Sequence, residues 1–525
     1  MLQHDIELAI ANAINGASGT YLTPTFTTEN KPYISGNYYS IWSHVTAGYD
    51  VSTQNWSGNN GVVMLGDETV GNTGRNDLAG GNGSDVLYSG KFGYLSANGG
   101  AGNDIIIGRN NLDASGEEGN DFIVAGVGIN ASYSGNYLTA WQKLFANANS
   151  MSEAALHNYF TYANSDNRLY GGSGNDTIIA PGDGNNKIYG DGESEASTDG
   201  NDMIIVGNGN NTLYGGGGDD SIMAGDGNNY IKGGSGNDII IAGSGNDTIY
   251  GDDGNDQIQA FGGVNQIYGG AGDDTIYVNS VNNRVDGGDG FDVVSFAAMD
   301  AGVTLSSAFW STHTNVEGVI GTAFNDQITG TAGNDYIWGG AGNDQLHGGA
   351  GNDVLQGGEG ADDLYGDAGN DALYGGVGDD YYFFEGQFGV DSVYEYAGEG
   401  TDDRVVFNDL TINDMVYGRM GNDLMFGDAS QTNMVAVKDW FLNFGVDSFW
   451  FTTGTADQYN YITAQAVADA FGVTIPTGAA ASDASLVADN AVLSAPDYVS
   501  GETLAPAAVE LSGVDMTPEA MHALC

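Results

Sequence analysis

Aspartate returns at a fixed interval along much of this chain, and carboxylates held at a fixed interval put one chemistry in reach, the binding of hard cations by hard oxygens. Ten nonapeptides run without a gap from Val206 to Ser295, beginning VGNGNNTLY, GGGGDDSIM, AGDGNNYIK and GGSGNDIII. Seven more run in frame from Gly321 to Phe383, ending GGEGADDLY, GDAGNDALY and GGVGDDYYF. The shared pattern is G-G-x-G-x-D-x-U-x, with U a large apolar residue. In the first series position six reads Asn211, Asp220, Asn229, Asp238, Asp247, Asp256, Asn265, Asp274, Asn283 and Asp292. In the second it is Asp326, Asp335, Asp344, Asp353, Asp362, Asp371 and Asp380. Upstream, imperfect nonads carry Asn167, Asp176, Asn186 and Asp202 there, around a small insertion near residues 192–198. Looser copies within 71–130 (GGNGSDVLY, GGAGNDIII, GEEGNDFIV) carry Asp85, Asp104 and Asp121.

Such residues need elements that place them side by side. The glycines of each nonad suit a tight turn and its last residues a short strand, with position eight pointing inward. That position holds Leu213, Ile222, Ile231, Ile240, Ile249, Ile258, Ile267, Ile276, Val285 and Val294, then Ile328, Ile337, Leu346, Leu355, Leu364, Leu373 and Tyr382. Two nonads make one coil with a strand on each side, and coils stack about 4.8 Å apart. The expected fold is all-β: a parallel β-roll, or β-solenoid, with two nonapeptides per coil. One edge of the first block (Asp176, Asp202, Asp220, Asp238, Asp256, Asp274, Asp292) then forms a carboxylate row. The other edge is mostly Asn, with Asp247 as its exception, and is expected to bind cations weakly or to replace them by a ladder of side-chain amides. The second block has carboxylates on both edges and is expected to be fully loaded. Stacked carboxylates repel without counterions, so the metal-free chain is expected to be largely unfolded.

Composition agrees with a repeat protein. Of 525 residues 86 are Gly, more than twice the usual share of about 7%. Only 7 are Pro, which excludes collagen, and the hydrophobic content of 41% excludes a plainly disordered polymer. With 12 Lys+Arg against 69 Asp+Glu, a net charge of -57 makes nucleic acid and anionic membranes poor partners. No apolar run is long enough for a membrane helix, and Asp5 and Glu7 stand where a cleavable signal peptide carries basic residues. The single cysteine, Cys525, permits no intrachain disulfide.

Residues 162–383 resemble the repeats-in-toxin family of haemolysin-type calcium-binding proteins, and the seventeen nonads in two unbroken frames carry the resemblance. It implies multiple Ca²⁺ ions, each enclosed by glycine-turn carbonyls and position-six Asp carboxylates of successive coils on one edge. On this sequence the metal ligands are then Asp85, Asp104, Asp121, Asp176, Asp202, Asp220, Asp238, Asp247, Asp256, Asp274, Asp292, Asp326, Asp335, Asp344, Asp353, Asp362, Asp371 and Asp380. It also implies a secreted protein that leaves through a type I channel, reading an uncleaved C-terminal signal, and folds in external calcium.

The rest of the chain divides around these blocks. Residues 1–60 (Leu2, Ile6, Ile10 and Ile14 at helical spacing, then YISGNYYSIW) read as a cap or a docking segment, and 61–130 as irregular repeats. Residues 131–161, with Trp141, Leu144, Phe145, Leu156, Tyr159 and Phe160, read as a helical insertion: a flap over one face or a binding device. Block one spans 162–295, a longer joining coil 296–320, block two 321–383, capping strands 384–475 and an acidic tail 476–525. His313, in the joining coil, is expected in a surface loop.

Among function classes, no H-E-x-x-H or G-x-S-x-G motif and no P-loop is present, and no long apolar helices of a pore former precede the repeats. The reading is an extracellular calcium-binding structural protein (surface layer, sheath, matrix or adhesion component) whose partners are calcium, other copies of itself or cell-surface polysaccharide. The alternative is a secreted carbohydrate-acting enzyme on a β-solenoid.

Overall fold

A strand of three to six residues cannot bury an apolar face by itself, so each nonapeptide needs a neighbour stacked in register. The computed structural model describes residues 75–88, 94–108, 111–129, 165–192 and 200–471, except 396–398, 412–413, 429–431, 444 and 453–458, together with strands at 33–35, 38–42, 62–65 and 160–162. These fall into two compact units, one ending at Asp274 and one beginning at Thr275. The amphipathic stretch around Ile6, the body of the 131–161 insertion and the acidic tail lie outside the described residues.

In the first unit two parallel ladders face each other across an aliphatic core. One pairs Ile204, Ile222, Ile240 and Ile258 in register, and the other pairs Leu213, Ile231, Ile249 and Ile267. The position-eight Ile residues from Ile231 to Ile267 are each 0% exposed. Burying one such side chain stabilises the roll by about 1.5–3 kcal/mol, and the repeat does this once per nonad. The expected β-roll is therefore what these residues build. The looser upstream copies join the same stack: Leu87, Ile106 and Ile123 pair in register, and Ile123 pairs with Ile178. Val62–Leu65 adds a strand below Val86–Tyr88, and Tyr38–Trp42, itself hairpin-paired with Tyr33–Ser35, adds another. Val127–Ile129 and Phe160–Tyr162, on either side of the insertion, form an antiparallel pair, so Phe160 stands in a strand and not in a helix.

In the second unit Val319, Ile337, Leu355, Leu373 and Val393 pair in register on one side. Ile328, Leu346, Leu364, Tyr382, Val405 and Phe449 do so on the other. Parallel coiling thus continues past Phe383 as far as Ser448–Thr452. An antiparallel strand, Tyr459–Thr463, and the helix Ala464–Phe471 then follow. Trp440, Phe384, Phe388, Phe407, Phe426, Phe449 and Phe451 are all buried and fill the core where the aliphatic repeats end. In the joining coil a short helix, Ser307–Trp310, brings Phe309 and His313 inward, with their rings stacked at 3.7 Å. His313 is 1% exposed, so the surface-loop expectation is corrected: Val285 pairs with it as one more strand position. Burial holds its pKa down to about 4, so the ring is neutral at ordinary pH.

Candidate metal-binding rows

The regular turns are held in shape by glycine at positions where a side chain fits poorly. Gly234 takes φ +126°, a backbone conformation that L side chains rarely adopt. A Cβ on Gly233 would overlap Asp238 Oδ2 and lie 2.8 Å from the Gly251 carbonyl oxygen, so the missing side chain leaves these two oxygens facing one gap. The same cradle recurs at Gly215, Gly251, Gly339 and Gly357.

The position-six carboxylates form continuous rows. The Oδ1 of each Asp accepts the backbone N–H of the corresponding residue one coil earlier: Asp202 N to Asp220 (2.7 Å), Asp220 N to Asp238 (2.7 Å), Asp238 N to Asp256 (2.7 Å) and Asp256 N to Asp274 (2.8 Å). This row extends down through Asp176 to Asp121, Asp104 and Asp85, the Asp121 N to Asp176 link of 2.5 Å spanning 55 residues of sequence. The two series of Asp thus share one edge. In the second unit Asp326, Asp344, Asp362 and Asp380 make one row and Asp335, Asp353 and Asp371 another. Asp292, at the foot of this unit, has its N–H bound by Glu317 (3.0 Å), which takes the place of an Asp in the row.

The second oxygens carry the chemistry. Oδ2 of Asp104, Asp121, Asp176, Asp220, Asp238, Asp256, Asp344, Asp353, Asp362 and Asp380 is buried and accepts no hydrogen bond. Burying an ionised carboxylate without a partner is strongly unfavourable. Desolvation first, and like-charged neighbours after it, push Asp176 and Asp220 up to about 9 and Asp238 to about 8. Asp344, Asp353, Asp362 and Asp380 rise to about 7, again mainly by desolvation. Orphaned carboxylate oxygens beside carbonyl oxygens, in a dry gap that glycine keeps open, are a donor set for a hard divalent cation.

The opposite edge of the first unit is different in kind. Asn211 Nδ2 donates to the carbonyls of Gly207 (3.2 Å) and Gly209 (3.0 Å) and to Asn229 Oδ1 (3.1 Å). Asn229 Nδ2 repeats this toward Gly225 (3.0 Å), Gly227 (3.2 Å) and Asp247 Oδ1 (3.1 Å). An amide ladder fills this edge and ends on Asp247 Oδ1, while Asp247 Oδ2 is buried and accepts no hydrogen bond, as in the Asp rows.

Within the second unit Asp326 and Asp335 differ from their neighbours in the donors that reach their second oxygens. Thr322 and Thr331 occupy the second position of their nonads, and their N–H groups reach Asp326 Oδ2 and Asp335 Oδ2 at 2.6 Å each, with their hydroxyls adding further bonds. These two carboxylates have internal donors where their neighbours have none. The rows also run further than the nonads do. Asp371 N donates to Asp391 Oδ1 (2.9 Å), and Asp380 N to Asp403 Oδ1 (2.9 Å). A sequence signal for the Asp391 extension exists in FGVDS, which occurs at 388–392 and again at 444–448 with Asp391 and Asp447 as its fourth residue, whereas Asp403 lies outside it.

The family of RTX calcium-binding nonapeptide repeats matches residues 70–91, 96–113, 163–194, 197–231, 223–258, 259–294, 320–355, 347–382 and 413–430. This chain is an RTX calcium-binding repeat protein. The RTX repeats bind Ca²⁺ at multiple sites, and the row of orphaned Oδ2 atoms beside glycine carbonyls fits that ion by charge and hardness. Bound there, Ca²⁺ supplies charge neutralisation. The RTX match at 413–430 falls on an antiparallel hairpin, Met415–Met420 with Asp423–Asp428, so a nonad-like sequence does not by itself make a coil of this RTX roll. No curated protein matches the chain.

Proposed function

We propose that this RTX protein is an extracellular structural component, exported as an unfolded chain, folded by external calcium and assembled with other copies at a cell surface. The observation that carries the reading is the buried carboxylate row, whose orphaned Oδ2 atoms make the roll self-repelling until cations enter it. The ligands are Asp85, Asp104, Asp121, Asp176, Asp202, Asp220, Asp238, Asp256, Asp274 and Asp292 in one series, Asp247 on the opposite edge of the first unit, and Asp344, Asp353, Asp362, Asp371 and Asp380 in the second unit. A non-catalytic role agrees with a described chain that is almost all roll and cap, and with the lack of a recognisable catalytic motif. Among the described residues no helix is long and apolar enough to cross a membrane. Circular dichroism with and without a chelator tests the folding step, and light scattering of the calcium-loaded sample tests assembly. Calcium is expected to produce the strand signal first and particles larger than one chain second. Monomers at millimolar calcium would remove the assembly half of the proposal.

A polysaccharide partner is favoured by one specific feature. Tyr170, Tyr189, Tyr214, Tyr230, Tyr250 and Tyr268 stand one coil apart on one face, with ring centroids 4.7–6.0 Å from one another. Arg168 and Lys187 lie over two of the rings. A concave patch at Tyr170 is lined by Asp113, Ser115, Glu117 and Arg168. Aromatic rows of this kind suit sugar faces. Retention on polysaccharide columns, lost on Tyr214→Ala with Tyr250→Ala, distinguishes docking from no role, and release of sugar fragments would point to the enzyme alternative.

A further inference from the structure

The last turn on one edge of the second unit breaks the repeat at its first position. Gly321, Gly339, Gly357 and Gly375 open the successive turns that end in Asp326, Asp344, Asp362 and Asp380. The next turn on that edge ends in Asp403 and opens with Glu395. Strand register sets the equivalence: Tyr374 pairs with Tyr394, which places Glu395 one coil beyond Gly375, and Tyr381 pairs with Arg404, which places Asp403 beyond Asp380. In the ordinary turns a side chain at this position cannot be fitted, because a Cβ on Gly357 would overlap Asp362 Oδ2. The last turn is longer, with eight residues ahead of Asp403 against five ahead of Asp380, and it accepts the glutamate.

Glu395 turns inward. It is 1% exposed, as is Asp403, and Asp380 is 0% exposed. One oxygen from each of the three carboxyls lies within 4.8 Å of the others. Asp380 Oδ1 accepts the Asp362 N–H at 2.9 Å, while its Oδ2 accepts no hydrogen bond at all. The Tyr382 hydroxyl donates to Glu395 Oε2 and so orients that carboxyl. Three buried carboxyls gathered around the orphaned Oδ2 of Asp380 require a positive partner. Where an ordinary turn opens with a glycine, this one brings a third carboxylate, which raises the charge available to a cation.

We propose that Asp380, Glu395 and Asp403 form a further calcium site at the end of the Asp326–Asp380 row, with Glu395 as a ligand that no nonapeptide supplies, and that this site fastens the C-terminal segment to the last coil. The proposal rests on reading the carboxylate rows as calcium sites. Its test is an anomalous difference map from crystals of the full chain soaked in terbium chloride, a hard lanthanide probe, for wild type and Glu395→Gln. The expected wild-type map has a peak among the three carboxylates as well as peaks between Asp220 and Asp238, and Glu395→Gln loses the first while keeping the second. Peaks in the rows with none at Glu395 would overturn the inference, as would a terminal peak that survives Glu395→Gln. A map without peaks even at Asp220 and Asp238 would overturn the reading of the rows as well. The wild-type map decides the matter without relying on the variant's folding.

Discussion

At position six a single atom separates two ways of closing a turn. Asn229 carries its own donor, Nδ2, which reaches the carbonyls of Gly225 and Gly227, whereas Asp238 presents an oxygen to the same kind of gap and needs a cation. Asn229→Ala should therefore destabilise the first unit by about 1–3 kcal/mol, because buried carbonyls lose their donor, and equally with or without calcium. Asp238→Asn should behave in the opposite sense, removing one bound ion while raising the stability of the metal-free chain. Urea unfolding in chelator and in calcium separates the two, and a calcium-dependent loss at Asn229 would contradict the amide ladder's independence of metal. Thr322 and Thr331 show a third solution, in which the second residue of the nonad supplies N–H and hydroxyl to the carboxylate.

Turns and strands respond to different insults. Gly233→Ala places a methyl in the gap shared by Asp238 Oδ2 and the Gly251 carbonyl, so it should abolish the ion there while the strands on either side keep their register. Ile240→Ala leaves the turns alone and opens a cavity in a fully buried position, at a loss of about 2–5 kcal/mol. Calcium stoichiometry by equilibrium dialysis should fall for the first variant and hold for the second, and the reverse would misassign both. The hairpin at Met415–Asp428 marks how far the nonad code reaches. GRMGNDLMF has the Gly, Asp and apolar positions of a repeat, yet Gly421 at φ +65° closes a tight antiparallel turn. Asp423 pairs there with Lys438 at 2.6 Å.

For the molecule as a whole the decisive quantity is charge, -57 by formal count. In the metal-free roll the buried carboxyls hold protons more tightly than they do in the unfolded chain, since Asp104 and Asp238 are pushed from 3.8 up to about 8 and Asp176 and Asp220 to about 9. Folding then takes up protons between these values, and stability falls as pH rises across the window from about 4 to about 9. Chelator-treated protein should gain strand signal as the pH is lowered toward 4 and lose it toward 9, while calcium, which replaces those protons, should hold the fold at neutral pH. A chelated sample at pH 8 with full strand content and an unchanged melting curve would refute the electrostatic account.

The nonapeptide period, the inward position eight and the division into an Asp edge and an Asn edge were legible in the chain itself, because each follows from a local pattern repeated until chance is excluded. What the chain could not show was which distant turns would meet. Asp121 lies beside Asp176 because Phe122 pairs with Thr177 across 55 residues of sequence, Glu317 enters a row through the joining coil, and Glu395 stands over Asp380 through strand register. His313 looked like a surface residue because its neighbours break the repeat, and the short helix turns it into the core. Repetition encodes contacts at a constant offset, whereas contacts across an irregular insertion depend on how the whole stack closes.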